Sequence, residues 1–214
     1  MNRETLEQAF DTRFPLEMKE KLRNARVAIA GLGGLGSNIA VMLARSGVGH
    51  IRMIDFDVVD VTNLNRQVYN ISHVGKYKTD ALKEILMQIN PYLDYEFRTE
   101  KVMMEKIREL FTGYSIVCEA FDSADQKAML VQEILTQFSD MLVVSGNGMA
   151  GFGDSNEIKT RQKLKRFFVC GDEKTDIADG IGLMAPRVTI CAAHQANKVL
   201  QLILEEKGEK ANGR

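Results

Sequence analysis

The sequence predicts an α/β fold. It should be a Rossmann-like, mostly parallel sheet with helices on both faces, preceded by a short N-terminal helical arm. Three observations predict it. Short apolar runs alternate with helix-patterned stretches from residue 27 to residue 145, as strands do when crossover helices join them. A glycine-rich turn separates the first apolar run from the first such helix. Apolar residues are 45% and charged residues 27% of the 214 positions, values of a packed domain that exclude disorder as a global description.

Residues 4–24 are charged, with apolar positions at Leu6, Phe10, Leu16, Met18 and Leu22 and a break at Pro15. They read as one or two short helices forming the arm. Residues 27–30 suit a buried strand. Residues 37–46 read as a helix that Gly47 stops. A second strand, 51–54, ends in Asp55-Phe56-Asp57. Residues 58–74 show no clean period and contain Asn63, Asn65 and Asn70, which predicts a long functional loop with a helical turn. A helix over 78–89 is stopped by Asn90-Pro91, because the residue before proline avoids helical geometry. A strand at 93–98, a helix at 101–111, a strand at 115–119, a helix at 124–138 and a strand at 141–145 follow. Gly146, Gly148, Gly151 and Gly153 then loosen the pattern. Residues 164–170 read as one strand and 171–182 as an acidic mobile loop. Residues 186–204 form a last helix with Pro186 suited to its first turn. The charged tail 205–214 is expected to fray.

Composition excludes several function classes. Lys+Arg is 28 and Asp+Glu is 29, a net charge of −1, so bulk basicity for nucleic acid is absent. Cys118, Cys170 and Cys191 are far apart. They make neither a disulfide framework nor a CxxC zinc pair, and reduced thiols in the cytoplasm are expected. Met1-Asn2-Arg3-Glu4 lacks the features of a signal peptide. The uncharged stretch 27–44 approaches the lower length of a membrane span, but the glycines, Ser37 and Asn38 in its middle fit strand, turn and helix instead. His50, His73 and His194 do not form a metal set, and the 11 methionines read as core filler.

Gly31-Leu32-Gly33-Gly34-Leu35-Gly36 matches G-x-G-x-x-G between a strand and a helix. Such glycines allow a tight turn and close backbone approach, and the helix start offers free N–H groups and a positive dipole end to phosphate. Asp55, 19 positions after Gly36, stands where an acidic residue receives ribose hydroxyls. These features alone would favour a nicotinamide oxidoreductase.

The next segment, Asp55-Phe56-Asp57-Val58-Val59-Asp60-Val61-Thr62-Asn63-Leu64-Asn65-Arg66-Gln67, changes that reading. Joined to the glycine turn, its D-x-D and N-L-N-R-Q elements closely resemble the ThiF/MoeB family, adenylating enzymes related to ubiquitin activation. The resemblance runs well over residues 20–150, through Gly75, Lys78 and Asp122-Ser123, and loosely beyond. Ser145-Gly146-Asn147-Gly148 and Val169-Cys170-Gly171-Asp172 look most like the short ThiF variety, linked to thiamine biosynthesis.

The resemblance implies that ATP and the C-terminal carboxylate of a small ubiquitin-like sulfur carrier, ThiS-like and ending Gly-Gly, give an acyl-adenylate and pyrophosphate. A sulfur donor would then act on the acyl-adenylate. A carrier for molybdopterin, or a tRNA-attached carboxylate, would be served by the same motifs. Residues 1–24 would be the arm and 25–214 a single adenylation domain. Gly31, Gly33, Gly34 and Gly36 would seat the nucleotide and Asp55 its ribose, with Asp57 bonding loop amides. Asn63, Asn65, Arg66 and Gln67 would hold phosphates, and Lys78 would reach the α-phosphate. Asp122, beside Ser123, would place Mg2+ and the reacting groups. Taken singly, Lys78 and Arg66 also fit surface charges, and Asp122 fits a helix cap; their combination carries the reading. An arm arginine from a second copy would complete the phosphate site, with Arg13 the candidate and Arg3 and Arg23 competing, so a homodimer is expected. Larger relatives carry CxxC pairs for zinc; their lack here predicts none. Cys170, placed in a Gly/Asp-rich loop, is the one thiol nominated as reactive, although Asp172 and Glu173 would raise its pKa.

Overall fold

Each central strand is apolar and buried along most of its length, so it can lie only between two layers of helix. The structure, a computed structural model, describes residues 2–205. The strands are Arg26–Ala30 (β1), His50–Ile54 (β2), Asp94–Arg98 (β3), Ile116–Glu119 (β4), Leu142–Gly146 (β5), Lys159–Leu164 (β6) and Phe167–Gly171 (β7). They form one sheet in the order β3-β2-β1-β4-β5-β7-β6. Every pairing is parallel except β6 with β7, which is antiparallel.

The helices are Arg3–Asp11 (α1), Leu16–Asn24 (α2), Gly34–Arg45 (α3), Lys78–Ile89 (α4), Ile107–Phe111 (α5), Ala124–Gln137 (α6) and Ala185–Leu204 (α7). On one face of the sheet Ile39 and Leu43 of α3, Leu82 and Leu86 of α4 and Val199 of α7 share a core with Ile29 and Val144. On the other, Ile107, Leu110 and Phe111 of α5 and Leu130 and Ile134 of α6 pack with Ala28, Ile54 and Val143. The expected two-faced α/β fold is thus observed. In the arm, Leu22 of α2 is buried, and Lys21 Nζ donates to the Leu204 carbonyl of α7 at 3.2 Å.

Three expectations are corrected. The helix expected over 101–111 begins as an α-helix only at Ile107, after a 3-10 turn at Met104–Lys106. Val102 is buried, and the chain leaving β3 runs non-helically past the cavity described below. The single strand expected over 164–170 is a hairpin, β6 turning at Lys165-Arg166 into β7. The polar run 159–163 hides β6, because an edge strand tolerates charge that a central one excludes. Residues 171–182, expected as a loop alone, contain a 3-10 turn, Ile177–Asp179, that the Asp176 side chain caps. The tail beyond Glu205 lies outside the described residues.

From β1 the chain steps outward through β2 to β3, then returns to β4 and steps the other way. The order reverses between β1 and β4, and a crevice opens at their carboxyl ends. The glycine turn sits there because only glycine fits. A Cβ on Gly36 would lie 1.8 Å from the Gly31 carbonyl oxygen. Gly31 itself has φ +90° and would place a Cβ 2.8 Å from the Ala120 oxygen.

Gly36→Ala should therefore destabilise the fold by about 3 kcal/mol, the upper range for overpacking. Urea unfolding measures this; a loss within experimental error would show that the turn can open without cost.

Candidate functional site

The site is organised around Asp55, which leaves β2 directly below the glycine turn. Its Oδ2 accepts the Leu32 N–H at 2.6 Å and its Oδ1 accepts the Asp57 N–H at 2.8 Å. The Gly31 N–H donates to the Ile54 carbonyl at 2.9 Å, so the turn is tied to β2 twice. Buried Tyr69 donates its hydroxyl to the Leu32 carbonyl at 2.9 Å. Burial pushes the Asp55 carboxyl above its ordinary pKa, against the pull of Lys78 and the two amides. Burial likewise holds the Tyr69 phenol well above its usual range, so it stays a donor.

Lys78 opens α4. Its N–H donates to the Asp57 carbonyl at 2.9 Å. Its Nζ donates to Asp57 Oδ2 at 2.8 Å and stands 3.9 Å from Asp55 Oδ2. The side chain is 8% exposed, so Lys78 is a held, largely buried cation rather than a helix-surface lysine.

Residues 60–67 form the next wall. Asp60 caps a 3-10 turn, accepting the Thr62 N–H at 2.8 Å, while Asn63 Oδ1 accepts the Asp60 N–H at 3.1 Å. Arg66 Nη1 donates to the Thr62 carbonyl at 3.0 Å and to Asn65 Oδ1 at 2.7 Å. Gly34 lets this wall approach α3: a Cβ there would lie 2.9 Å from Val188 Cγ1 and 3.5 Å from Arg66 Cγ. Gln67 Oε1 is buried without a hydrogen-bond partner, an acceptor held against the cavity. At the start of α3, Gly33 supplies no side-chain cap, so the first amides of the helix remain free for an anion.

These groups line a cavity of about 810 Å³, within the ordinary range of small-molecule sites. Gly31, Gly33, Gly34, Asp55, Asp57, Asn63, Arg66, Gln67, Lys78, Asp122 and Ser123 all line it. Ile54, Phe56, Val102, Ala120 and Phe121 give it an apolar portion. The structure therefore brings together most of the residues expected from sequence. Gly36 lies behind the turn, and Asn65 turns to the rim, where its Nδ2 donates to the Leu183 carbonyl at 3.0 Å. Asp122 is exposed, and Ser123, without a side-chain cap bond, takes the N-cap position of α6. Arg13 is exposed in the turn between α1 and α2 and does not line this cavity.

Sequence reasoning marked the glycine-rich segments of the far wall without the contacts that hold them. Gly146 to Ala150, Thr175 to Ile177 and Leu183 close the cavity opposite Asp55. It missed Glu119, fully buried at the end of β4. That carboxylate accepts the Phe121 N–H at 2.7 Å and both Lys127 Nζ contacts at 3.1 and 3.2 Å, and Lys127 also donates to the Gly146 carbonyl at 2.9 Å. A charge ending an apolar strand was the available signal. Lys127 lines the cavity, and with those bonds made it also braces β4 against β5.

Cys170 is a correction. It lies in β7 rather than in a loop and is fully buried. Burial pushes its thiol up to about 11, against a hydrogen bond from Thr160 and the charge of Lys198. Cys118 and Cys191 are also buried and raised by burial. A reactive thiolate does not fit such surroundings. Among the described residues, no three of His, Cys, Asp and Glu gather as a metal would require, and no helix is long and apolar enough to cross a membrane.

A doubly wound sheet with a glycine turn, an unbraced helix start and two cationic side chains at its switch point defines a nucleotide-binding protein. Comparison narrows the class: the ThiF family model matches residues 7–214, and the chain belongs to the ThiF family. It is 29% identical to the molybdopterin-synthase adenylyltransferase of Salmonella typhimurium, over 100% of this chain and 84% of that protein. It is 38% identical to the tRNA threonylcarbamoyladenosine dehydratase of Bacillus subtilis, over 63% of this chain and 53% of that one. The chain thus spans only about half the length of the second relative. The crystal structure of the E. coli tRNA N6-threonylcarbamoyladenosine dehydratase in complex with AMP shares the fold, with a TM-score of 0.83, 23% identity and coverage of 92% and 93%.

The thiol environments predict that native protein resists alkylation by iodoacetamide at pH 8. All three cysteines should react only after denaturation. Rapid labelling of Cys170 in folded protein would contradict its burial.

Proposed function

We infer that the chain is an adenylyltransferase whose acyl substrate is the C-terminal carboxylate of a small ubiquitin-like sulfur carrier. The observation that carries the nucleotide half is the convergence of Lys78, Arg66 and the open start of α3 on one cavity. A carboxylate oxygen would attack the α-phosphorus of ATP while the bond to the β-phosphate oxygen breaks. Pyrophosphate leaves and the acyl-adenylate remains. The nucleophile is already ionised, so the reaction needs no strong base. Its obstacle is repulsion between two anions. One cation about 4 Å from a phosphate charge contributes roughly 4 kcal/mol at an effective dielectric near 20, so such groups dominate catalysis.

Gly33, Gly34 and the first amides of α3 would cradle phosphate. Asp55, with lone pairs beyond its two amide bonds, would receive the ribose. Asn63, Arg66 and Gln67 would hold the phosphates and Lys78 the α-phosphate. The Gln67 amide would turn its Nε2 to phosphate, and its unpartnered Oε1 would accept from a donor on the bound substrates. Mg2+, which takes one or two protein carboxylates and otherwise phosphate and water, fits Asp122, and would neutralise the leaving pyrophosphate. A second copy would bring its arm to this phosphate site, with Arg13 as the completing cation.

The far wall supports a protein tail as substrate. Its small and backbone-rich residues, Gly146 to Gly148 and Ala150, suit a thin Gly-Gly terminus. The rim segment carries exposed Asp176 and Asp179, which would repel a nucleic-acid backbone. A ThiS-like carrier in thiamine biosynthesis is the reading preferred here. The molybdopterin carrier and the tRNA-attached carboxylate are the second readings, favoured by the relatives just described.

The test is ATP–pyrophosphate exchange with a panel of Gly-Gly-ended carriers and with none. Exchange dependent on one carrier supports the reading and names the carrier. Exchange supported by tRNA alone would replace it with the dehydratase reading. In the same assay Lys78→Ala should slow exchange about 10²–10³-fold, as removal of a preorganised charge-stabilising group does. A folded variant slowed only a few-fold would remove Lys78 from the chemistry.

A further inference from the structure

Asp172 and Arg187 form an ion pair with side chains only 1% and 3% exposed. Neither lines the cavity, and the adenylation chemistry uses neither. Arg187 lies in the first turn of α7, the end of a helix that disfavours a cation. Its Nε is buried without a partner. Buried pairs are weak sources of stability, because desolvation offsets the attraction. The pair's connections show what it accomplishes.

Its bonds join three segments. Arg187 Nη2 donates to Asp172 Oδ2, and Nη1 donates to the Asp154 carbonyl at 3.0 Å. Asp172 Oδ1 accepts the Lys174 and Thr175 N–H groups at 2.8 and 2.9 Å. Its Oδ2 accepts the Thr175 hydroxyl at 2.8 Å. That hydroxyl oxygen accepts the Ala150 N–H at 3.1 Å. The Asp172 N–H itself donates to the Gly148 carbonyl at 2.9 Å. Between these anchors Glu173 adopts φ +59°, a conformation costly for a side-chain-bearing residue. Its carboxylate is held by Arg161 at 3.1 Å and Lys163 at 2.7 Å.

Gly148, Ala150 and Thr175 line the far wall of the cavity. The nucleotide wall rests mainly on other supports, Asp55, Tyr69 and the β1–β2 backbone, and meets α7 at Val188 beside Gly34. We propose that Asp172 and Arg187 are positioning residues that fix the acyl-substrate wall, setting affinity for the carboxylate-bearing protein while leaving ATP affinity unchanged. This rests on the adenylation reading above.

The test uses Arg187→Met, Arg187→Lys and the milder Thr175→Val in the full chain. ATP affinity is read by calorimetry. Exchange is titrated with the Gly-Gly-ended carrier that supports it in the unsubstituted protein. Arg187→Met and Thr175→Val should raise the half-saturating carrier concentration about tenfold or more, the loss expected for buried bonds to a charged group. Their ATP affinity should stay within about twofold, a shift too small to signal a lost contact. Arg187→Lys, keeping the charge and part of the bonding, should recover much of the loss. Amide hydrogen exchange should quicken in 147–150 and 172–176 of Arg187→Met, with 31–37 unchanged. That readout needs no carrier. Unchanged half-saturation and unchanged amide exchange in a folded Arg187→Met protein would overturn the proposal, as would equal losses for ATP and carrier. Failure of the unsubstituted protein to exchange with any carrier would instead overturn the carrier reading of the proposed function.

Discussion

The Asp55 carboxylate holds two backbone amides at once, and the nucleotide side of the molecule depends on it. One amide belongs to the glycine turn and the other to the segment leading to Arg66. A carboxylate taken from water needs such bonds to remain favourable. Lys78 stands close by and is itself bonded to Asp57. The turn, the D-x-D segment and the start of α4 are therefore one electrostatic unit. Removing any member leaves a buried group without its partner, which costs more than the bond itself contributed.

The two walls of the cavity are built by different means. Beside Asp55 the geometry comes from backbone: tight glycines, a strand end and a helix start, none of which can shift without disturbing the sheet. Across the cavity the wall is irregular chain, held by Asp172, Arg187 and Thr175. A nucleotide is the same in every reaction, so a rigid seat suits it. An acyl substrate differs between relatives, and a wall fixed by a few side chains can be altered without rebuilding the fold.

Much of the nucleotide side was legible in the sequence because its constraints are local. Gly31 and Gly36 report a close approach that no other residue permits, and Asp55, Arg66 and Lys78 stand at element boundaries that apolar runs announce. The far wall was legible only as a glycine-rich segment, not in the contacts that hold it. Asp172 and Arg187 are adjacent only after β7 and α7 pack, and nothing near either residue marks it as buried. Glu119 carried a signal, a charge at the end of an apolar strand, but its pairing with Lys127 appears only in the folded chain. Cys170 was read both as a strand end, which it is, and as a loop thiol, because its glycine and acidic neighbours on one side offset the apolar Phe167-Phe168-Val169 on the other. The β6 hairpin was missed because its lysines and arginines conceal an edge strand.

The central claim is that the cavity at the β1–β4 switch point is built for ATP rather than for a nicotinamide dinucleotide. Equilibrium dialysis with radiolabelled ATP, in the presence of excess NAD, tests it most directly. The account predicts saturable binding of one ATP per chain that NAD does not displace. Displacement by NAD, or no binding of ATP, would contradict it.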